Sequence, residues 1–182
     1  MRKVGRKGQD TAELFFDECR VPVANIIGAP GHGLSAVVHN LPRERLAIAV
    51  AGVAVARHAL GLTLEHLQHR VAFGQPLARM QSVRMTLADL HVDLEITSAY
   101  VDQCVLALNA DELSVVEAAG IKAKATELQW RAVDTAMQLF GGSGYMEENP
   151  IARIWRDARV QRIYGGANEV LMDLVGRRLV GQ

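Results

Sequence analysis

The chain has 182 residues, enough for one domain with a real buried core. Hydrophobic residues make up 49% and charged residues 22%, an ordinary globular balance. Twenty basic residues offset twenty acidic ones and aromatics are only 5%, which argues against a basic face for nucleic acid and against a base-stacking platform.

Residues 1–30 differ in texture from the rest. MRKVGRKGQDT carries charge but leads into no apolar h-region, so a secretory leader is not expected. Thr11 to Pro22 is aromatic and β-branched in places and stopped by proline, which predicts one strand and a turn. Such a strand needs a partner for its edges. Gly28-Ala29-Pro30-Gly31 and Gly33 mark a loop.

From about His32 the pattern is helical. Asn40-Leu41-Pro42 reads as a helix start, because proline is tolerated in a first turn. Leu46, Ala49, Val50, Val53, Ala56, Leu60, Leu64 and Leu67 follow at three- and four-residue steps to an end near Arg70. The longest apolar run, Leu46 to Ala56, is too short to span a bilayer. A second helix is predicted from about Leu77, with Met80, Val83, Leu87, Leu90, Leu94, Val101, Cys104 and Leu108 on one seam, closed by Asn109-Ala110-Asp111. A third runs from about Ser114 to Phe140. Lys122 falls on its apolar seam and has to snorkel or pair.

Gly141-Gly142-Ser143-Gly144 ends that helix and Asn149-Pro150 starts another. Two glycines at Tyr164-Gly165-Gly166 then break the remaining helical run into two, each costing a helix roughly 1 kcal/mol against alanine. The expected fold is all-α, an antiparallel up-and-down bundle of three long and two shorter helices over residues 31–182, with a short N-terminal strand segment in residues 1–30.

Metal chemistry finds no support: the six histidines form no HExxH and no Cys/His cluster has zinc spacing. Cys19 and Cys104 show no CxxC spacing, and free thiols in a reducing, cytoplasmic compartment are expected.

Five spaced blocks nevertheless resemble, in order, the C-terminal part of the acyl-CoA dehydrogenases. Gln9-Asp10-Thr11-Ala12-Glu13-Leu14-Phe15-Phe16 with Arg20-Val21-Pro22 looks like the last strand of that family's middle β-domain. Glu44-Arg45-Leu46 opens a helix similar to its first long C-terminal helix, and Arg70-Val71-Ala72-Phe73-Gly74 with Gln81 is similar to its Arg-x-x-Phe-Gly loop. Gln138-Leu139-Phe140-Gly141-Gly142 with Arg156-Asp157-Ala158, and Tyr164-Gly165-Gly166, complete the set.

The resemblance implies a flavoenzyme that removes hydrogens from Cα and Cβ of an acyl-CoA thioester and passes electrons to an electron-transferring flavoprotein. A carboxylate has to take the α proton. Many members carry glutamate directly after the bend's tyrosine, where this chain has Gly165. The long-chain and isovaleryl branches place it in a Leu-x-x-Glu-Arg-Leu context, which makes Glu44 the candidate base, reaching over the room left at Gly165 and strengthened by burial. The ordinary alternative is a first-turn glutamate complementing the helix dipole.

By the same transfer Arg70, Phe73, Gln81, Gln138, Gly141 and Gly142 are implied to hold FAD, with Arg70 meeting the pyrophosphate of a neighbouring subunit in a homo-oligomer. Arg45, Tyr164, Gly165, Gly166 and Arg177 are implied on the substrate side. Ala72 and Ala167 stand where relatives often have threonine, so two flavin hydrogen bonds of about 1 kcal/mol each are expected to be missing. The family's N-terminal helical domain and most of its β-domain have no counterpart in this chain, so the activity is expected to need them. Two other readings remain: a truncated helical oligomerisation module without flavin, and an acyl-CoA oxidase on the same fold. Glu44, Arg70 and Phe73 together favour catalysis over a scaffold, which has no need of all three.

Overall fold

The computed structural model describes residues 1–181. Its helices are α1 (Gly33–His69), α2 (Gln81–Asn109), α3 (Val115–Phe140), α4 (Pro150–Ala158) and α5 (Asn168–Leu179). Strands β1 (Val71–Ala72) and β2 (Gln75–Pro76) form a tight antiparallel hairpin, pairing Val71 with Pro76 and Ala72 with Gln75. The bundle expected from the periodicity is the bundle observed.

Local chemistry explains most boundaries. Ser114 caps α3 reciprocally: its Oγ accepts from the Glu117 amide at 3.1 Å while Glu117 Oε2 accepts from the Ser114 amide at 3.0 Å. The hydroxyl and amide of Ser114 hold the Glu117 carboxyl below its usual range. Asn149 Oδ1 accepts from the Ile151 amide at 3.0 Å to start α4, with Pro150 at the first position.

Two expectations fail. First, α1 starts at Gly33, and Pro42 lies well inside it. Proline removes the bond to the Val38 carbonyl, but the turns before it are exposed and continue all the same, with Asn40 Nδ2 donating back to the Ala36 carbonyl at 3.2 Å. Second, no strand forms between Thr11 and Pro22. No partner strand is there among the described residues to take its backbone groups, and Leu14, Phe15 and Phe16 stay exposed.

α1 and α3 pack against each other most extensively. Leu46, Ala49, Val53 and Ala56 meet Ile121, Ala125, Leu128 and Ala132, and α2 closes the layer with Leu90, Leu94, Val101 and Cys104. Small residues set that spacing. A Cβ on Gly52 would lie 3.2 Å from the Ala125 carbonyl oxygen, so the helices could not sit this close with alanine there unmoved. The full helix α1 is longer than the apolar run inside it and is long and apolar enough to cross a membrane by length and composition. Half of its most apolar window is buried within the bundle, which accounts for that hydropathy as core. Cys19 is exposed, Cys104 is buried, and both are free thiols.

Candidate functional site

The Tyr164-Gly165-Gly166 corner joins the end of the α4 segment to α5, and both glycines need their identity: φ is +65° at Gly165 and +100° at Gly166. The two glycine carbonyls of this corner are each held by a cation from a different helix. Arg45 Nε, on α1, donates to the Gly165 carbonyl at 3.2 Å. Lys122 Nζ, on α3, donates to the Gly166 carbonyl at 2.8 Å and to Asn168 Oδ1 at 2.9 Å. Asn168 Nδ2 in turn donates to Glu127 Oε1 at 2.8 Å and to Thr126 Oγ1 at 3.0 Å, and Arg162 Nε donates to the same Glu127 oxygen at 2.7 Å. Arg45, Lys122, Thr126 and Asn168 are all buried.

Burial pushes the Lys122 ammonium down to about 8 and the Arg45 charge pushes the same way, while Glu127 and Glu169 pull it back. Sequence reasoning flagged Lys122 as a residue in need of a partner but missed that its partner is the corner. Asn168, Thr126, Glu127 and Arg162 were not assigned to the site: Thr126 shares the α3 seam with Lys122 and Asn168 follows the bend, but local spacing does not show that these groups meet.

The room expected at Gly165 is taken. A Cβ there would lie 2.5 Å from Ile48 Cδ1, so the α1 side chain one turn after Glu44 fills the space. Glu44 itself is exposed, and the burial expected around the base is not supplied by this chain. It does lie close to the corner. Burial raises the Tyr164 phenol, the Arg6 guanidinium 5.4 Å from its ring centroid lowers it, and the Glu44 charge raises it. Glu127 and Asp173 are tied up by Arg162 and Arg177, whereas Glu44 takes part in none of the ion pairs among the described residues. Arg177 pairs with Asp173 at 2.7 Å and lines, with Arg45, Val170 and Leu174, a groove of about 440 Å³ between α5 and the start of α3.

The second group of predicted residues sits elsewhere. Lys122 and Phe140 are separated along α3 by roughly 27 Å, from the rise of a straight helix. At that far end the His66 ring stacks on Phe140 at 4.1 Å, and Leu139 packs against the Leu67, Val83 and Leu87 cluster. Arg70 caps α1 there, Gln81 opens α2, and Phe73 sits at the hairpin tip at φ +52° and 92% exposed. Gln138 is exposed too, and Gly141 and Gly142 have open space where a Cβ would be. Burial and then the Arg70 charge lower the His66 imidazole. Arg70, Phe73, Gln81, Gln138, Gly141 and Gly142 thus share one end of the bundle. Glu44, Arg45, Tyr164, Gly165, Gly166 and Arg177 do not join them.

The family model described as "Acyl-CoA dehydrogenase, C-terminal domain" matches residues 31–180. The chain belongs to the acyl-CoA dehydrogenases. It is 40% identical to the long-chain specific acyl-CoA dehydrogenase, mitochondrial, of Sus scrofa over 99% of its own length and 42% of that relative's. An acyl-CoA dehydrogenase from Geobacillus kaustophilus superposes with a TM-score of 0.95 at 37% identity, covering 98% of this chain and 47% of that one. A structure titled for the electron transferring flavoprotein of Acidaminococcus fermentans superposes with a TM-score of 0.95 at 28% identity, over 100% of this chain and 48% of that one. The chain therefore spans less than half the length of the relatives it matches. Members of this family are FAD-binding oxidoreductases. The far-end residues suit such a group chemically: a guanidinium for a diphosphate, an exposed aromatic ring, two exposed amides and two glycines that leave backbone approachable.

Proposed function

We propose that this chain supplies the helical half of an FAD-dependent acyl-CoA dehydrogenase, in which Glu44 removes the α proton of an acyl-CoA thioester. The observation that carries this reading is the corner itself: Gly165 has no side chain and Ile48 Cδ1 fills the room beside it, so this corner offers no carboxylate. Glu44 lies one helical turn before Ile48, its charge reaches Tyr164, and among the described residues no cation pairs with it. It is free to meet substrate.

Arg45 holds the corner through the Gly165 carbonyl, and the groove it lines with Arg177 also carries Asp173, so the exposed Arg177 is the guanidinium that the substrate's anionic portion would approach. FAD, when bound, supplies the hydride acceptor for the Cβ hydrogen. Arg70 would hold its diphosphate, with Phe73, Gln81, Gln138, Gly141 and Gly142 around its remaining surface. Because that group lies roughly 27 Å along α3 from the corner, we read it as serving the active site of a second copy, in a homo-oligomer. Electrons would pass on to an electron-transferring flavoprotein, a reading supported by the likeness to the Acidaminococcus structure.

The test is Glu44→Gln in the whole enzyme, assayed by dye reduction with acyl-CoA substrates. Turnover should fall by about a thousandfold, the scale of a lost general base, with the flavin spectrum intact. A variant that turns over normally removes Glu44 from the reaction. Peroxide formed in step with substrate consumption under air would instead mark an oxidase.

A further inference from the structure

Lys122 is the largest side chain in the molecule with no exposed surface, and it carries a charge. Taking an ammonium out of water is expensive, and a bundle helix has no need of one at a seam position that Leu or Met would fill. Here the charge is spent on the corner. Nζ reaches the Gly166 carbonyl and Asn168 Oδ1, the first residue of α5, so one side chain on α3 fixes the last peptide of the corner and the start of the helix after it. Asn168 uses its side chain inward for this purpose, and α5 has no side-chain cap of its own. With Arg45 on the preceding carbonyl, two consecutive peptide groups are set by two cations from two neighbouring helices.

We propose that Lys122 is a positioning residue for the dehydrogenation: it holds the Gly165-Gly166 corner, and through it Tyr164, in the placement relative to Glu44 that turnover requires. The inference rests on the function proposed above. Lys122 touches no reacting atom and acts through the corner. The groups around it are Arg45 from α1, Glu127 on its own helix, Arg162 bonded to that glutamate from the segment before the corner, and Asn168 and Glu169 from α5. Burial and Arg45 together bring its proton within reach of mildly alkaline pH. A neutral amine holds both oxygens less well than an ammonium does, so the corner should loosen there.

The test pairs turnover by the whole enzyme with amide spectra of the full chain labelled with nitrogen-15 glycine. In the wild type, the Gly165 and Gly166 resonances should titrate with a midpoint near pH 8, and kcat should fall over the same interval. Lys122→Met fills the site without the charge. It should lower kcat at neutral pH by about tenfold or more while KM moves less than about threefold, and should abolish the titration. Asn168→Asp keeps the size of the side chain, gives up the amide's bond to Glu127 and places a second carboxylate beside the ammonium, so its midpoint should move up in pH. Lys122→Met with wild-type kcat and wild-type glycine resonances, or Asn168→Asp with an unmoved midpoint, overturns the proposal. Glycines that titrate as expected in a protein that does not oxidise acyl-CoA would sink the assigned reaction and leave the clamp standing.

Discussion

The two ends of α3 are finished to different degrees. At the corner, every strained backbone group is answered from inside the chain: Gly165 and Gly166 have their carbonyls bonded to Arg45 and Lys122, and Ile48 and Leu171 leave no room for a Cβ on either glycine. At the other end Phe73 holds a left-handed conformation with 92% of its surface exposed, and Gly141 at φ +62° and Gly142 face open space. A folded chain rarely strains its backbone to push an aromatic ring into water unless something else covers it. The corner is set by packing within the bundle, whereas the far end leaves its groups uncovered by the rest of the chain, as the proposed FAD contacts require.

Substitutions should separate the two ends by size of effect. Gly165→Val drives a branched side chain into Ile48 at a positive φ, and should cost about 3 kcal/mol of unfolding free energy, read from denaturant midpoints. Combining it with Ile48→Ala should recover part of that loss; no recovery would mean that strain in the backbone, and not the Ile48 contact, seals the site.

Lys122 gives the corner a pH signature as well. Its folded-state pKa of about 8 lies below the ordinary 10.5, so between those values the unfolded chain binds more protons and stability rises with pH. Below pH 8 both states are protonated and the cost of burial is constant. The gain should approach about 1 kcal/mol per pH unit, seen best between pH 8 and 9, and should vanish in Lys122→Met. Above that interval Cys104, Tyr100 and Tyr164, all pushed up by burial, pull the other way.

Gly141→Ala meets no neighbour but sits at φ +62° and ψ −145°, a backbone region open almost only to glycine, so it should cost about 1 to 2 kcal/mol in the same unfolding experiment. A loss as large as that at Gly165 would erase the contrast between the ends. Phe73→Ala should change stability by less than about 0.5 kcal/mol, because the ring packs on nothing in the chain. In the whole enzyme the same change should weaken FAD retention, measured by gel filtration. Unchanged retention would make Phe73 an ordinary exposed residue.

Much of the bundle was legible in the sequence because its causes are local. The apolar steps of α2 and α3, the start of α3 at Ser114, Asn149 before Pro150 and the double glycine each act within a turn or two of chain. The start of α1 was misread because proline is a first-turn signal only when the turns before it do not form, and here they do. The strand between Thr11 and Pro22 was misread for the opposite reason. Its residues suit a strand, but a strand exists only when another chain segment accepts its edge.

The site divides along the same line. The sequence by itself determined which residue types were available: a carboxylate at Glu44, none at Gly165, a guanidinium at Arg70 and a lysine on a seam that should be apolar. Only the tertiary structure decided that Ile48 fills the room above Gly165, that Lys122 and Arg45 close on neighbouring carbonyls, and that the residues implied for FAD gather at the end away from the corner. Those contacts join positions between 44 and 120 residues apart. A side chain's spacing fixes the face of the helix it occupies, but which group it meets depends on how separate helices cross, and that is settled by packing across the whole bundle.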